Sequence, residues 1–395
     1  MRPAVIAASV VALVVATVGF ATAAKKPRTE IDRYRVGVFP IDIAVGDFNR
    51  DRRADLAVSI FQTPSGTNFP ISILRGTRKG SFRKTRGVKL DQQPHGIAVA
   101  RLGSGKDQDL VIGTLGDEVV LFKGRKGLRF GPPKELAIAD WPRRVASADF
   151  DQDGRADIAA SRQQANDVAV VLGLGGLGFG APSTYPVGLG GGPIVATRID
   201  PGGDPDLLTV DYATDSLALL RGQAGGAFGA PEPLAVPSEP RSIAVADLDR
   251  DGHRDLIAGF VGDRPRLAVL RGQPGGTFAP AQTLAVGRRP MDVSDIAVTR
   301  VDRNRDPDLV IAGRQVGGVR IGARGIGPPG PIPKGRVLVL EGRAGIKLRR
   351  VRQFTVTGAP TAAVAARIDR KRPVDIAASL SRDQRPGRVL AIRNP

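Results

Sequence analysis

The chain has no cysteine and only two histidines in 395 residues, and aromatic residues make up 5% of it. Without cysteine there are no disulfides, no thiolate metal centre, no thiol nucleophile and no lipid-modified cysteine at the N-terminus. Two histidines, His95 and His253, leave little room for imidazole-based catalysis, and neither H-E-x-x-H nor G-x-S-x-G occurs. Long apolar runs are missing beyond the N-terminus, so no later segment is expected to cross a bilayer. No later stretch keeps a helical period over three turns. Acidic residues are outnumbered, 39 Asp and Glu against 58 Lys and Arg, for a formal charge of +19. The arginines are scattered and rarely interleaved with aromatics, which argues against a dedicated nucleic-acid surface and leaves anionic polymers or glycans as partners. A plain solvated coat of arginine is the alternative.

What is abundant is turn chemistry, with 50 glycines and 31 prolines, as many short strands joined by tight connections require. The N-terminus reads as an export signal over residues 1–23. Arg2 supplies the charge, Ala4 to Phe20 the apolar stretch, and Ala21-Thr22-Ala23 the cleavage pattern. An uncleaved anchor remains the alternative, because the run approaches spanning length. Residues 24–33 read as a linker and 34–395 as one domain, expected to be secreted or held at the cell envelope as a monomer.

That domain is written as one phrase used seven times, opening at Pro40, Pro94, Pro142, Pro193, Pro240, Pro290 and Pro360. An apolar alternating run leads into aspartates at every second position, and then Asp-Leu or Asp-Ile begins a second run. A β-rich repeat of roughly 50 residues means blades around an axis or a solenoid. In the third unit the strands fall at Val145–Ala148, Ile158–Ser161, Asp167–Leu172 and Tyr185–Val187, four per unit. Gly173-x-Gly175-x-x-Gly178 follows a strand, but sister units place a hairpin turn there, so it is no phosphate loop. The last unit supplies three strands, and Tyr34–Phe39 is left over in front of the first. The fold class expected is therefore an all-β, seven-bladed β-propeller of four-stranded blades, closed by the N-terminal strand in the last blade. An insertion from about Arg314 to Gly335 reads as a protruding loop.

The aspartate runs carry the chemistry. Positions 1, 3, 5 and 9 are Asp47, Asn49, Asp51 and Asp55 in the first unit. They are Asp149, Asp151, Asp153 and Asp157 in the third, and Asp247, Asp249, Asp251 and Asp255 in the fifth. Alternating hard oxygens with a carbonyl from position 7 suit calcium, and Gly154 and Gly252 allow the sharp bend. The EF-hand is excluded, since position 12 is Val58, Ala160 or Ala258 and the flanks are strands. A carboxylate-rich turn without metal is the alternative. In the other units position 1 is Arg101, Arg198, Arg300 or Arg367, and position 7 becomes Asp107, Asp204 or Asp306 in three of them. The exchange predicts a guanidinium standing where the cation would be.

These loops, with FGAP at Phe179 and Phe228, FGPP at Phe130 and FAPA at Phe278, resemble the FG-GAP (VCBS-type) repeats of the integrin α-subunit propeller. The resemblance covers the chain from about Tyr34 onward. It implies calcium in loops joining the first and second strands of some blades. It also implies a partner on the opposite face, which would include His95, Trp141, Arg143, Arg144, Tyr212, Arg241, Arg288 and Arg289. A glycan, cell-wall polymer or protein would be bound there by charge and stacking. Packing between blades is the plainer reading of Trp141. A polysaccharide hydrolase or lyase and a non-catalytic envelope scaffold remain the alternatives to a binding module.

Overall fold

The computed structural model describes residues 30–62, 68–200, 202–237, 240–260, 266–287, 291–299, 306–314, 334–343, 347–366, 375–381 and 386–393. The export-signal reading and the Arg314–Gly335 insertion, apart from its first and last residues, lie outside them. No helix among the described residues is long and apolar enough to cross a membrane.

The repeat phrase becomes a four-stranded antiparallel sheet. In the third unit the strands are Pro142–Ala148, Asp157–Arg162, Asp167–Val171 and Ser183–Pro186, paired in that order. The first strand of each sheet touches the first strand of the next, so these strands are innermost around the axis. The second and third strands are buried along their whole length, because each sheet is sandwiched between two neighbours. The outer strand is mostly exposed. Alanine, valine and isoleucine dominate the contacts between sheets. Ala98, Val111 and Leu121 of the second unit, for example, pack on Val145, Ile158 and Ala169 of the third. β-Branched and small residues fit two pleated surfaces facing each other.

The sheet count differs from the expectation. Five separate four-stranded sheets form, and the first and last units share one eight-stranded sheet. The cause is a single 17-residue strand, Glu30–Gly46. Its first half, Glu30 to Val38, pairs with Pro386–Arg393 at the other end of the chain. Its second half, Val38 to Gly46, pairs with Asp55–Gln62. Phe39, at a left-handed φ of 51°, turns the strand between the two roles. The strand begins at Glu30, before the expected Tyr34. Ile43, Leu56 and Val58 pack against Ala377, Val389 and Ala391, so both ends of the chain share one apolar core. Thr361 adds a hydrogen bond to the Pro40 carbonyl at 2.7 Å.

The phenylalanines of the FG-GAP pieces have a defined task. Phe130 meets Phe48 edge-on at 5.7 Å, and Phe228 meets Phe150 at 5.3 Å. Phe48 and Phe150 hold position 2 of the acidic loops one unit earlier, so each signature aromatic braces its neighbour's loop.

The position 9 aspartate is a structural clamp. Asp157 accepts the Phe150 N–H at 2.6 Å and the Gly173 N–H at 2.7 Å. Asp109 does the same with Leu102 and Gly124, at 2.8 and 2.7 Å. Asp206 takes Ile199 and Gly222 at 2.8 and 2.9 Å. The partner must be glycine, since a Cβ on Gly173 would lie 2.5 Å from the Ala156 carbonyl oxygen. Gly173→Ala is therefore expected to destabilise the protein by about 1–3 kcal/mol in urea unfolding. Gly105→Ala, with only Asp107 N at 3.9 Å from the new Cβ, should be near neutral.

Candidate functional site

Two faces carry polar clusters. The acidic loops follow the C-terminal ends of the innermost strands, here termed the lower face. Arg143 and Asp149 stand at opposite ends of one such strand, roughly 20 Å apart at ~3.3 Å per residue.

On the lower face the chain folds each loop around its own carboxylates. Asp149 accepts the Gly154 N–H at 3.0 Å, and Asp153 the Arg155 N–H at 2.8 Å. Gly154 sits at φ 88°, a conformation that costs glycine little. Asp149, Asp151 and Asp153 bring one oxygen each within 4.8 Å of one another, as do Asp247, Asp249 and Asp255 in the fifth unit. These clusters could hold a metal ion. Asp149 Oδ1 is buried with no hydrogen-bond partner, the state expected of an oxygen meant for a cation. In the third loop Asp157 lies outside the cluster, its two oxygens taken by backbone N–H groups. Burial is the main cause that raises Asp157 and Asp255 to about 6 and Asp55 to about 7.

In the first unit Asp47 and Asn49 bind the loop's own N–H groups. Asp51 is bound by Arg53 and by Arg75, the latter at 3.3 Å. Two guanidiniums there stand where a cation would be drawn. In the fifth unit Arg271 grips Asp249, and Asp251 accepts the His253 N–H at 2.8 Å.

The guanidinium expected from position 1 is not found at the two such arginines that are described. Arg101 and Arg198 point to solvent and make no ion pair among the described residues, while Arg300 and Arg367 lie outside them. The aspartates at position 7 pair across sheets with position 4 of the preceding loop. Arg50 meets Asp107 at 2.8 Å, Arg250 meets Asp306 at 3.5 Å, and Gln152 bonds Asp204. The residue before the clamping glycine supplies the guanidinium instead, as Arg75, Arg271 and Arg221, the last reaching Asp200 at 3.3 Å. Leu172 stands at this place in the third unit, and the basic group of that cluster is Arg155 of the loop itself, paired with Asp153.

On the opposite, upper face the sequence candidates come together in part. His95 Nε2 lies 2.7 Å from Arg143 Nη2, and Arg143 Nη1 donates to Gln163 Oε1 at 2.6 Å. Arg144 crosses the second unit to donate to Asp42 at 2.8 Å. Gly96 permits this, since a Cβ there would meet the Arg143 carbonyl at 2.6 Å. Arg241 lies 5.5 Å over the Tyr212 ring, a cation–π contact. Burial, then Arg144 and Arg143, lower His95 to about 2, so its ring is neutral. Arg288 and Arg289 lie outside the described residues.

Trp141 is exposed at 37% and ends a run of three left-handed residues, Ala139, Asp140 and Trp141, at φ 64°, 56° and 57°. Such conformations cost non-glycine residues about 1–2 kcal/mol each. Arg162 holds the run, donating to the Ile138 carbonyl and to Asp140 at 3.0 Å while its fork grips Asp167. Arg162 and the exposed Leu189 escaped the sequence reading. Only the Arg162-to-Asp167 spacing across a hairpin could have signalled the first.

Asp42 and Asp295 stand on innermost strands, and each bridges its own unit to the next, Asp42 taking the Ile43 and Ile97 N–H groups and Asp295 those of Ile296 and Ala363. Burial raises Asp295 to about 7, Asp42 adds to the rise, and the Ala363 hydrogen bond and Arg144 oppose it. The folded state therefore holds this proton more tightly than the unfolded chain. Its stabilisation is full below about pH 4 and is lost as pH rises through about 7. Asp295→Asn should remove that slope, gaining on the parent between pH 4 and 7 by on the order of 1–3 kcal/mol. Parallel slopes in chemical denaturation would contradict the assignment.

The fold and its two clusters define a β-propeller with four-stranded blades and metal-capable loops. The chain carries FG-GAP-like repeats, matched by the FG-GAP-like repeat model over residues 106–160 and 198–258. Those segments contain the third and fifth acidic loops. Among solved structures it is similar to the BP39L lectin from Burkholderia pseudomallei, at 12% identity over 91% of this chain and 97% of that one, TM-score 0.61. AofleA from Arthrobotrys oligospora aligns at 12% identity over 87% and 96%, TM-score 0.48. The periplasmic gluconolactonase PpgL of Pseudomonas aeruginosa aligns at 18% over 64% and 71%, TM-score 0.45. No curated protein matches the chain in sequence.

Proposed function

We propose that this protein is a secreted, calcium-stiffened propeller of seven blades whose upper face binds a glycan of the cell wall or a partner's surface. The observation that carries the binding reading is Trp141, held exposed on a strained loop beside Arg143 and Gln163. Strain retained at a surface aromatic suits a sugar-stacking platform. The Burkholderia protein that shares the fold is a lectin, a precedent for the architecture.

The seven-blade count treats the eight-stranded sheet as two blades fused through Glu30–Gly46. Its support is the shared core of the chain ends and the Thr361 hydrogen bond. Export is supported by Arg2, the Ala4–Phe20 run and Ala21–Ala23.

Calcium is the ion favoured for the third and fifth loops, because all candidate ligands are hard oxygens. One guanidinium competes in each loop, Arg155 on Asp153 in the third and Arg271 on Asp249 in the fifth. Melting temperature should rise as free calcium passes through ~10⁻⁴–10⁻³ M, tenfold excess over the dissociation constant adding about 1.4 kcal/mol per site. Asp149→Ala should remove the third loop's share, about half of the total rise, and Arg198→Ala none. An unchanged melt at several millimolar calcium would end the calcium reading.

The chain has a single tryptophan, so intrinsic fluorescence reports on the upper face alone. A glycan array and isolated wall polymers should yield a ligand that shifts this emission. Trp141→Ala, followed by calorimetry because the variant has no tryptophan, should weaken that ligand about tenfold, the equivalent of ~1.4 kcal/mol. Absence of any carbohydrate ligand up to millimolar concentration would reject the reading.

A further inference from the structure

Arg143 is a partly buried cation whose partners are both neutral. Its Nη1 donates to the Gln163 amide oxygen and its Nη2 to His95 Nε2. Its Nε is buried with no partner. No carboxylate pairs with it among the described residues, although Arg144 beside it has Asp42. A guanidinium removed from water without a counter-ion costs several kcal/mol. It is nevertheless held in place from two sides.

His95 is 7% exposed, and its Nε2 accepts from Arg143, so the ring proton sits on Nδ1. That Nδ1 also lacks a partner. Donors and positive charge therefore gather between the second and third units, with no acceptor left over to satisfy them. The Gln163 contact is the exposed part of the cluster, and the Gln163 N–H bonds the Trp141 carbonyl at 3.2 Å. An acid group arriving at Arg143 would lie two residues along the chain from Trp141, whose carbonyl is tied to the same Gln163.

We infer that Arg143 anchors an oxyanion carried by the ligand, displacing Gln163 Oε1, and that His95 is the residue positioning it. The inference rests on the glycan reading and names the chemistry: a sugar acid, its charged group a carboxylate or a sulfate ester. A carboxylate matches the guanidinium fork by two parallel hydrogen bonds. The indole takes the sugar ring. His95 acts as a fixed, uncharged acceptor, because an imidazolium would repel Arg143 and could not accept its hydrogen bond.

The two histidines make the test clean, since His253 lies on the lower face and serves as an internal control. Full-length protein labelled with ¹⁵N-histidine is titrated with an oligogalacturonate, a sulfated oligosaccharide of equal length, a neutral oligosaccharide, and acetate and sulfate alone. The His95 ring should report the Nδ1–H tautomer and move saturably with the charged sugars, while His253 stays still. A preference for one charged sugar identifies the acid group. Arg143→Gln should weaken the charged ligand at least tenfold and leave neutral sugar binding unchanged. His95→Leu should weaken it comparably, whereas His95→Gln, which keeps an acceptor for Nη2, should restore most of the affinity. Melting curves accompany each variant, and the Arg143→Gln comparison stands if a His95 variant fails to fold. Charged and neutral sugars bound equally, with Arg143→Gln indifferent to both, would overturn the anchor and leave the glycan reading intact. A His95 response to simple anions without any sugar binding would keep the anchor and end the glycan reading. Silence of His95 toward every anion overturns the anchor.

Discussion

The aspartate that opens the second strand of a blade is the constraint on which the other features lean. Asp55, Asp109, Asp157, Asp206 and Asp255 each tie the loop's second residue to a glycine at the end of the third strand. Asp308 makes the glycine half of the same bridge with Gly342. One carboxylate satisfies two backbone donors that burial would otherwise strand. Burial works against its charge, as its raised pKa shows wherever a shift is resolved. The bridge occurs alike in units with and without a metal-like loop, so it precedes metal binding in the logic of the fold.

With the loops fixed in this way, the two ends of the innermost strands do different work. At the lower end carboxylates converge and arginines from strand three or from the loop itself compete with any cation, two in the first unit and one each in the third and fifth. At the upper end arginines and aspartates interleave, Arg143 standing without a carboxylate among the described residues, and the chain spends conformational strain on display. Arg162 offsets that strain with a buried fork, and Gly96 opens the path by which Arg144 reaches Asp42. About 20 Å of packed strand separates the two ends, so an ion below acts on a ligand above only by stiffening the sheets between them.

Much of this was legible in the sequence. Period-two runs and the recurring Asp-Leu or Asp-Ile gave the strands, and the alternate aspartates gave the loops, because both depend on local spacing. The arginine exchange does not take the expected form at Arg101 and Arg198. Position 1 and position 7 do covary along the chain, but the position 7 aspartates find their partners in the preceding unit's loop, and no spacing within one unit shows a contact between units. The clamping glycines were visible as Arg-Gly and Leu-Gly pairs, yet their need appears only with the facing carbonyl in place. The fusion of first and last sheets was half visible: the spare strand was found, but its run without a break into Pro40 was not. His95 was found as a surface candidate and proved to be buried, since the crossing of Arg143 over it is a matter of tertiary packing.

The long strand Glu30–Gly46 also sets an order of events. Its first half has its partner in Pro386–Arg393, far later in the sequence, so that edge waits until those residues are made. At about 5–20 residues per second the wait is some tens of seconds. During it the bare backbone edge can recruit a strand from another chain. Two such chains that trade their leading strands would lock into a pair, making the same feature that joins the ends of one molecule a route to exchange between two.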